Sequence, residues 1–276
     1  MIASASLPLR RLIFAALAVA SIALAGCSSD DKDKYVERPV DELYNDALDA
    51  MNKGDLKKAS DLFDEVDRQH PYSVWATRAQ LMSAYAYYQA DKYDEAISGL
   101  DNFIQLHPGN PDAAYAYYLK ALCYYEQIAD VERDQQNTQQ ALDALQEVVA
   151  RYPDSDYAKD ARLKIDLARD HLAGKEMEIG RYYQKRGYYL AAINRYRKVV
   201  EDYQVTTQIP EALERLTECY LALGVKDEAQ TAAAVLGYNY PGSSWYQDAY
   251  NLLTKEHLQP QVKSSSWLTR TWPKLF

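Results

Sequence analysis

Residues 59–71, ASDLFDEVDRQHP, and residues 96–108, AISGLDNFIQLHP, decide the fold of this chain of 276 residues. In both stretches, an alanine is followed after four and seven residues by a large apolar side chain, and a proline comes five residues later. Spacings of four and three put the three apolar residues on one helix face, and proline cannot continue a helix. Each stretch is therefore predicted to be an amphipathic helix with a defined end.

The same spacing occurs three more times, at Ala141, Leu145, Val148 and Pro153; at Ala192, Tyr196, Val199 and Gln204; and at Ala229, Ala233, Leu236 and Pro241. Before each stretch, a small residue is followed three positions later by a mostly aromatic one: Ala47/Ala50, Ala84/Tyr87, Ala121/Tyr124, Gly180/Tyr183 and Thr217/Tyr220. Turn signals such as Lys53-Gly54-Asp55 lie between the two helices. Tandem helix pairs of about this length are typical of tetratricopeptide repeats. The prediction is an all-α, superhelical array of five such repeats.

Two departures from the standard repeat length of about 34 residues can be located. Repeat three carries additional, mostly polar residues between its helices, from Ala129 to Thr138. Before repeat four, the stretch from Asp156 to Lys185 contains no helix breaker other than Gly174 and Gly180. It is therefore predicted to form one extended helix.

The first segment has the features of an export signal. Two arginines precede an apolar run from Leu12 to Leu24, which is too short for a typical membrane span. The run ends Leu24-Ala25-Gly26-Cys27, which resembles the lipobox of bacterial lipoproteins, where cleavage precedes a lipidated cysteine. An ordinary cleavage site with a chance cysteine is the alternative. Ser28 stands where an aspartate retains such lipoproteins in the inner membrane, so the outer membrane is favoured.

Composition excludes several classes of function. The net charge of −9 becomes −11 once residues 1–26 and their two arginines are removed, whereas binding of nucleic acid requires clustered cations. Three cysteines cannot form a disulfide framework, and the positions of Cys123 and Cys219 on their helices suit small buried side chains. No metal-binding, phosphate-binding or nucleophile motif occurs. The chain is predicted to be non-enzymatic, without cofactor or metal.

A candidate peptide-binding groove lies on the first helices of repeats one to three. Apolar and aromatic residues there follow spacings of three, four and seven, which place each set on one helix stripe. Tyrosine offers rigid contact area with a hydrogen-bonding tip, which suits an extended peptide of alternating apolar and aromatic residues. The alternative is that these rings pack between neighbouring repeats. The predicted groove residues are Tyr44, Leu48, Leu81, Tyr85, Tyr88, Tyr115, Tyr118, Leu122 and Tyr125.

The second half of the chain carries charge where the first half carries aromatic rings. Cations cluster on the long helix and on the second helix of repeat four, which indicates either a solvated face or a dock for an acidic partner. The predicted partner interface comprises Arg181, Lys185, Arg195 and Arg197. A basic tail at 259–276 contains Trp267 and Trp272. A membrane surface, a partner and an unstructured state all stay open for this tail.

The lipobox, polar linker, five repeats, insertion and long helix together resemble the BamD family, the tetratricopeptide lipoproteins of the outer-membrane β-barrel assembly machine. Matching stretches include LFDEVDRQHPYS at 62–73 and EIGRYYQKRGYYLAAINR at 178–195. The resemblance implies an adaptor at the periplasmic face of the outer membrane, whose N-terminal repeats recognise unfolded outer-membrane protein precursors. It also implies that the C-terminal repeats dock accessory lipoproteins and the periplasmic domains of the integral barrel subunit, with Arg195 at a position linked to that contact.

The expected organisation is a signal peptide at 1–26, a lipidated linker at 27–39, repeats one to three at 40–153, the long helix with repeats four and five at 154–258, and the tail. A rival interpretation has the same anchor and array but makes the protein a periplasmic lipoprotein that scaffolds or regulates peptidoglycan synthesis. The two interpretations differ in what co-purifies from an envelope extract, a large integral barrel protein or a peptidoglycan synthase.

Overall fold

The computed structural model describes residues 37–271. The predicted signal segment, Cys27, most of the linker and the last five residues lie outside the described residues. Twelve helices and no strand are found within residues 37–271. The helices are α1 (Val40–Asn52), α2 (Leu56–Gln69), α3 (Val74–Gln89), α4 (Tyr93–Leu106), α5 (Ala113–Glu126), α6 (Gln136–Arg151), α7 (Asp156–Lys185), α8 (Tyr189–Asp202), α9 (Ile209–Ala222), α10 (Lys226–Asn239), α11 (Ser244–Lys255) and α12 (Trp267–Thr271).

The first ten helices form five pairs, α1/α2 to α9/α10, that correspond to the five predicted repeats. Each of these helices packs against the next one along the chain. The first helices of neighbouring pairs also meet, α1 with α3, α3 with α5 and α5 with α7, and they form an inner layer. This stacking of helix pairs in two layers is that of a tetratricopeptide array, so the predicted all-α fold is confirmed.

The recurring spacing marks the contact between the two layers. All fifteen residues of the alanine–large–large set, from Ala59 to Leu236, are at most 1% exposed. The alanines let two helices approach closely, and the larger side chains fill the space between them. Each fully buried leucine or phenylalanine contributes about 1.5–3 kcal/mol to folding. The pattern that predicted the repeats is therefore also the pattern that stabilises them.

The turns inside repeats one, two, four and five share one geometry. Their central residue has a positive φ: 78° at Gly54, 56° at Asp91, 76° at Gly187 and 74° at Gly224. Glycine adopts this conformation freely and aspartate does so less readily. In each turn the next residue donates its N–H to the carbonyl five residues back, as Asp55 does to Ala50 at 2.9 Å. This bond closes the first helix of the repeat.

The extended helix α7 has the bounds that the sequence predicts, Asp156–Lys185, and its 30 residues serve repeat four as first helix. Gly180 lies where the second helix, α8, approaches most closely. A Cβ atom at Gly180 would lie 2.4 Å from Cε1 of Tyr196, so no larger residue fits there without a shift of the ring. The glycine and the tyrosine are therefore complementary in size.

The insertion of repeat three lies against α7. It ends earlier than expected, because α6 begins at Gln136 and Thr138 belongs to its first turn. His171 Nε2 lies 2.6 Å from the backbone oxygen of Ala129, and Lys175 donates to the backbone oxygen of Glu132 at 2.7 Å. The inserted loop is thus bonded to the long helix along its length.

The chain after repeat five folds back onto the last two repeats. Helix α11 packs on α9 and α10. Beyond it, Trp267 is 7% exposed and donates from Nε1 to the hydroxyl of Tyr220 at 2.9 Å, while the guanidinium of Arg197 lies 4.4 Å from its ring centroid. Within the described part of the tail, Trp267 and Leu268 therefore belong to the C-terminal core. This differs from each of the three environments that the sequence left open.

Candidate functional site

Five tyrosines form an aromatic surface across three helices of the inner layer. Tyr85 and Tyr88 on α3 stack with ring centroids 6.5 Å apart. Tyr157, in the first turn of α7, lies 5.7 Å from Tyr115 and 5.2 Å from Tyr118, both on α5. Because α3, α5 and α7 are consecutive helices of one layer, these rings lie side by side. We call the five residues the tyrosine surface.

The rings of the tyrosine surface are partly open to solvent. Four of them are half-buried, and Tyr157 is 36% exposed. Burial raises the pKa of Tyr88, Tyr115 and Tyr118, and a hydrogen bond from the Tyr118 hydroxyl to Asp160 raises the pKa of Tyr118 further. These phenols therefore stay protonated at physiological pH, and the hydroxyls other than that of Tyr118, which already donates to Asp160, can donate hydrogen bonds. The surface combines apolar ring faces with neutral donors, which suits a polypeptide backbone.

The other predicted groove residues have different environments. Tyr44 is 9% exposed, with its ring centroid 5.4 Å from that of Phe63 and 4.8 Å from that of Trp75. Leu81 is 8% exposed in the core of repeat two. Burial removes both residues from the predicted groove lining, because aromatic and apolar residues of their own and of the next repeat cover them. The remaining three are half-buried: Leu48, Leu122 and Tyr125.

Tyr157 was missed by the stripe spacing, although the sequence contains a signal for it. It follows Pro153 and the helix-capping Ser155, whose hydroxyl accepts a hydrogen bond from the N–H of Ala158 at 3.1 Å. The same order of proline, capping serine and aromatic residue occurs at 71–75 (PYSVW) and at 241–245 (PGSSW). In all three places the aromatic residue lies in the first turn of a helix. This recurring order also marks the start of α11, which the repeat pattern did not predict.

Ion pairs occupy the corresponding region in repeats four and five. Arg181 on α7 bonds Glu211 on α9, with Nη1 and Oε2 3.0 Å apart, and Arg215 bonds Glu218 at 2.7 Å. Gln184 donates to Glu218 at 2.6 Å. We call these five residues the ionic surface. Helices α7 and α9 are therefore joined on their inner side by polar bridges.

The four cations predicted as a partner interface do not form one cluster. Arg181 and Lys185 line a shallow cleft of about 310 Å³ at the ionic surface. Arg195 instead pairs with Glu176 at 3.0 Å across the contact between α7 and α8. Arg197 covers the packed tail. The structure thus places two of these residues on the inner side and the other two on α8.

A family model described as YfiO, outer membrane lipoprotein, matches residues 36–236. The chain is 54% identical over 254 residues to the outer membrane protein assembly factor BamD of Caulobacter vibrioides, which covers 91% of this chain and 83% of that protein. The BamD of Rickettsia prowazekii is 46% identical over 241 residues, which cover 87% of this chain and 96% of that protein. The chain belongs to the BamD family.

Membership of the BamD family confirms the resemblance noted in the sequence. The family match includes the tyrosine surface and the ionic surface, and it ends within α10, before α11 and the packed tail. Among solved structures, a crystal structure of the P58(IPK) TPR domain is similar at a TM-score of 0.41 and 17% identity, over 86% of this chain and 64% of that chain.

The described helices of this BamD-family chain offer little reactive chemistry. Within residues 37–271, no group of three or more His, Cys, Asp or Glu side chains is placed to hold a metal ion. None of those helices has the length and apolar character that crossing a bilayer requires. Burial raises the pKa of Cys123 and of Cys219 to about 12, so both free thiols stay protonated and unreactive at neutral pH.

Proposed function

We propose that this BamD-family protein is a non-enzymatic adaptor in the assembly of outer-membrane β-barrel proteins. A lipid on Cys27 holds it at the periplasmic face of the outer membrane. Family membership supports this role, because the relatives described above are outer membrane protein assembly factors. The lipobox-like stretch before Cys27 supports the anchor.

In this proposal the tyrosine surface binds unfolded outer-membrane protein precursors. The observation that carries it is the row of partly open rings across α3, α5 and α7. An extended segment that crosses these helices places its apolar and aromatic side chains on the rings and its backbone groups near the phenol hydroxyls. Each aromatic pair contributes about 0.5–1.5 kcal/mol beyond the area it buries. Several such contacts give useful affinity without demanding one exact sequence.

The C-terminal repeats dock the periplasmic domains of the integral barrel subunit, and accessory lipoproteins bind the same half. Lys185 is exposed and has no ion pair among residues 37–271. Arg195 keeps 40% of its side chain exposed while Glu176 orients it. A carboxylate of a partner can pair with either cation, and such charge complementarity favours specificity. Arg181 and Arg197 contribute at the edges of this dock.

Replacing Tyr85, Tyr88 and Tyr118 together with alanine should abolish binding of a fluorescently labelled peptide of alternating apolar and aromatic residues. The affinity is expected to fall at least about tenfold, because three aromatic contacts are lost. Fluorescence anisotropy measures the binding. The far-UV circular dichroism spectrum should stay unchanged, because the substituted rings lie on the inner surface and not between the two layers.

The matched control replaces three exposed tyrosines of the other half, Tyr182, Tyr188 and Tyr250, and should bind like the unaltered protein. A scrambled peptide of the same composition tests whether the alternation matters. Loss of the helical spectrum in the first variant would show that its rings belong to the core. Unaltered affinity in that variant would show that precursors bind elsewhere.

A further inference from the structure

Glu214 in the last repeat is a buried carboxylate with an unsatisfied oxygen. It lies on α9, is 2% exposed, and its Oε2 has no hydrogen-bond partner among the described residues. The nearest cationic atom is Nε of Arg215, at 3.5 Å. A buried carboxylate normally has a hydrogen-bonded or charged partner, because leaving one unpaired costs several kcal/mol. The position of Glu214 therefore requires an explanation.

Arg215 makes only a long ion pair with Glu214, because two other carboxylates on α9 engage its guanidinium more closely. Its Nη1 bonds Glu218 at 2.7 Å, and its Nε lies 3.4 Å from Oε1 of Glu211. Arg181 also bonds Glu211, but from the side of α7. One arginine thus serves three carboxylates on α9. An additional cation at Glu214 would complete the set of charge-assisted hydrogen bonds.

Glu214 lines a pocket of about 280 Å³ between α9 and α11. Its walls include Trp245 and Leu252, and Asp248 and Lys255 lie on the α11 side. Three carboxyl groups and two cations face this space, so its lining carries a net charge of −1 when Glu214 is ionised and is neutral when Glu214 is protonated. The volume is below the roughly 300–1,000 Å³ of sites for small-molecule ligands, and a single side chain suits it better.

We propose that this pocket receives a basic side chain, of arginine or lysine, from a partner polypeptide. The incoming cation bonds the free oxygen of Glu214, neutralises the lining and contacts the face of Trp245. The pocket differs in position and in sign of charge from the cationic dock described above. Binding of a basic side chain at this pocket does not depend on whether the tyrosine surface binds precursors.

Binding at this pocket is expected to depend on pH. Burial raises the pKa of Glu214 to about 8, neighbouring Glu218 and Asp248 add to the rise, and Arg215 opposes it. The unoccupied pocket therefore holds a protonated Glu214 at neutral pH, and a bound cation displaces that proton. Affinity should rise with pH by up to about tenfold per unit until about pH 8, and then level off. Two other cations lie near these carboxylates. Lys255 is at the rim of the pocket, and Arg181 is bonded to Glu211.

The test titrates the intact chain with N-acetyl-arginine methylamide and follows the indole N–H of Trp245 by NMR, assigned from its absence in Trp245→Phe. We expect a saturable shift that strengthens from pH 6 to pH 8, and the same response to N-acetyl-lysine methylamide. The neutral isostere N-acetyl-citrulline methylamide should give no saturable shift. No saturable response to either cation between pH 6 and pH 9 would overturn the proposal.

Glu214→Gln should weaken binding at least about tenfold at pH 8 and remove its pH dependence, because the amide carries no charge and does not titrate. Glu147→Gln is the matched control, since it removes one carboxylate from α6, where Glu147 pairs with Arg151. Asp248→Asn, on the exposed side of the pocket, should weaken binding in the same direction and serves if Glu214→Gln does not fold. Unchanged affinity in a folded Glu214→Gln protein, or in Asp248→Asn in its place, would contradict the assignment.

Discussion

The inner surfaces of the two halves of the molecule differ in the kind of contacts that their side chains make. From repeat two to the first turn of α7, tyrosine rings contact one another and keep part of their faces open. In repeats four and five, carboxylates pair with guanidinium groups, and Arg181 and Arg215 each serve more than one carboxylate. The framework beneath them is the same, because the alanine–large–large set is buried in every repeat.

This difference shows that the repeat constrains mainly the contact between its two layers. Side chains that face inward are free to change in chemistry as long as the buried set is kept. A neutral aromatic surface tolerates varied segments, whereas a charged surface selects a partner by complementarity. One array can therefore hold two classes of partner on one continuous scaffold.

The largest effect on stability is expected where a tyrosine belongs to the core. Tyr196 is fully buried and its hydroxyl donates to Oε1 of Gln184 at 2.7 Å, so Tyr196→Ala should destabilise the protein by about 3–5 kcal/mol. Tyr85 is half-buried on the tyrosine surface, and Tyr85→Ala should lower the free energy of unfolding by about 1 kcal/mol. Urea unfolding at pH 7 measures both. Equal losses would break the comparison, because the tyrosine surface would then be core.

A smaller effect is expected at the closest approach of two helices. Gly180→Ala should destabilise the protein by about 1–3 kcal/mol, since the new Cβ would lie 2.4 Å from Tyr196. The control is Gly99→Ala in repeat two, whose Cβ would meet that of Ala84 at 3.4 Å, a distance that needs little adjustment. Alanine also favours a helix over glycine by up to about 1 kcal/mol. Thermal unfolding should shift in opposite directions, and a destabilised Gly99→Ala protein would contradict this account.

The contacts between layers could be predicted from the sequence because they recur. The burial of Ala96 and Leu100 could be predicted because equivalent residues occupy the same positions in the four other repeats. The turn glycines recur in the same way. The long helix could be predicted because nothing between Asp156 and Lys185 stops it. Local patterns thus determine most of the fold.

Contacts that occur once could not be predicted. Trp267 bonds Tyr220 across 47 residues, and within residues 37–271 the other repeats contain no similar pair. The spacing of Tyr44 places it on the inner stripe, but its burial depends on Trp75 of the next repeat, which that spacing does not report. Likewise, the sequence does not indicate which carboxylate each clustered cation of α7 and α8 pairs with. These features follow from tertiary packing.

The smallest effect concerns a carboxylate that the C-terminal half buries. Glu176 on α7 accepts hydrogen bonds from Arg195 at 3.0 Å and from Lys198 at 2.7 Å. Burial alone would raise its pKa, but Lys198 and Arg195 together outweigh burial, so the pKa of Glu176 is lowered. A folded pKa below the unfolded value of about 4.3 means that the stabilisation is present above that pH. It is lost as the pH falls through the folded pKa.

Glu176→Gln should therefore lower the free energy of unfolding by about 1–2 kcal/mol at pH 7, and its difference from the unaltered protein should shrink as the pH approaches 3. Urea unfolding across this range measures the difference. Glu201→Gln removes only a more exposed pair with Arg197 and should change stability by less than about 0.5 kcal/mol at either pH. A difference for Glu176→Gln that stays constant with pH would mean that Glu176 stabilises by packing alone. Each half would then be stabilised by the same kind of apolar contact between its layers, and the two halves would differ only in their surfaces.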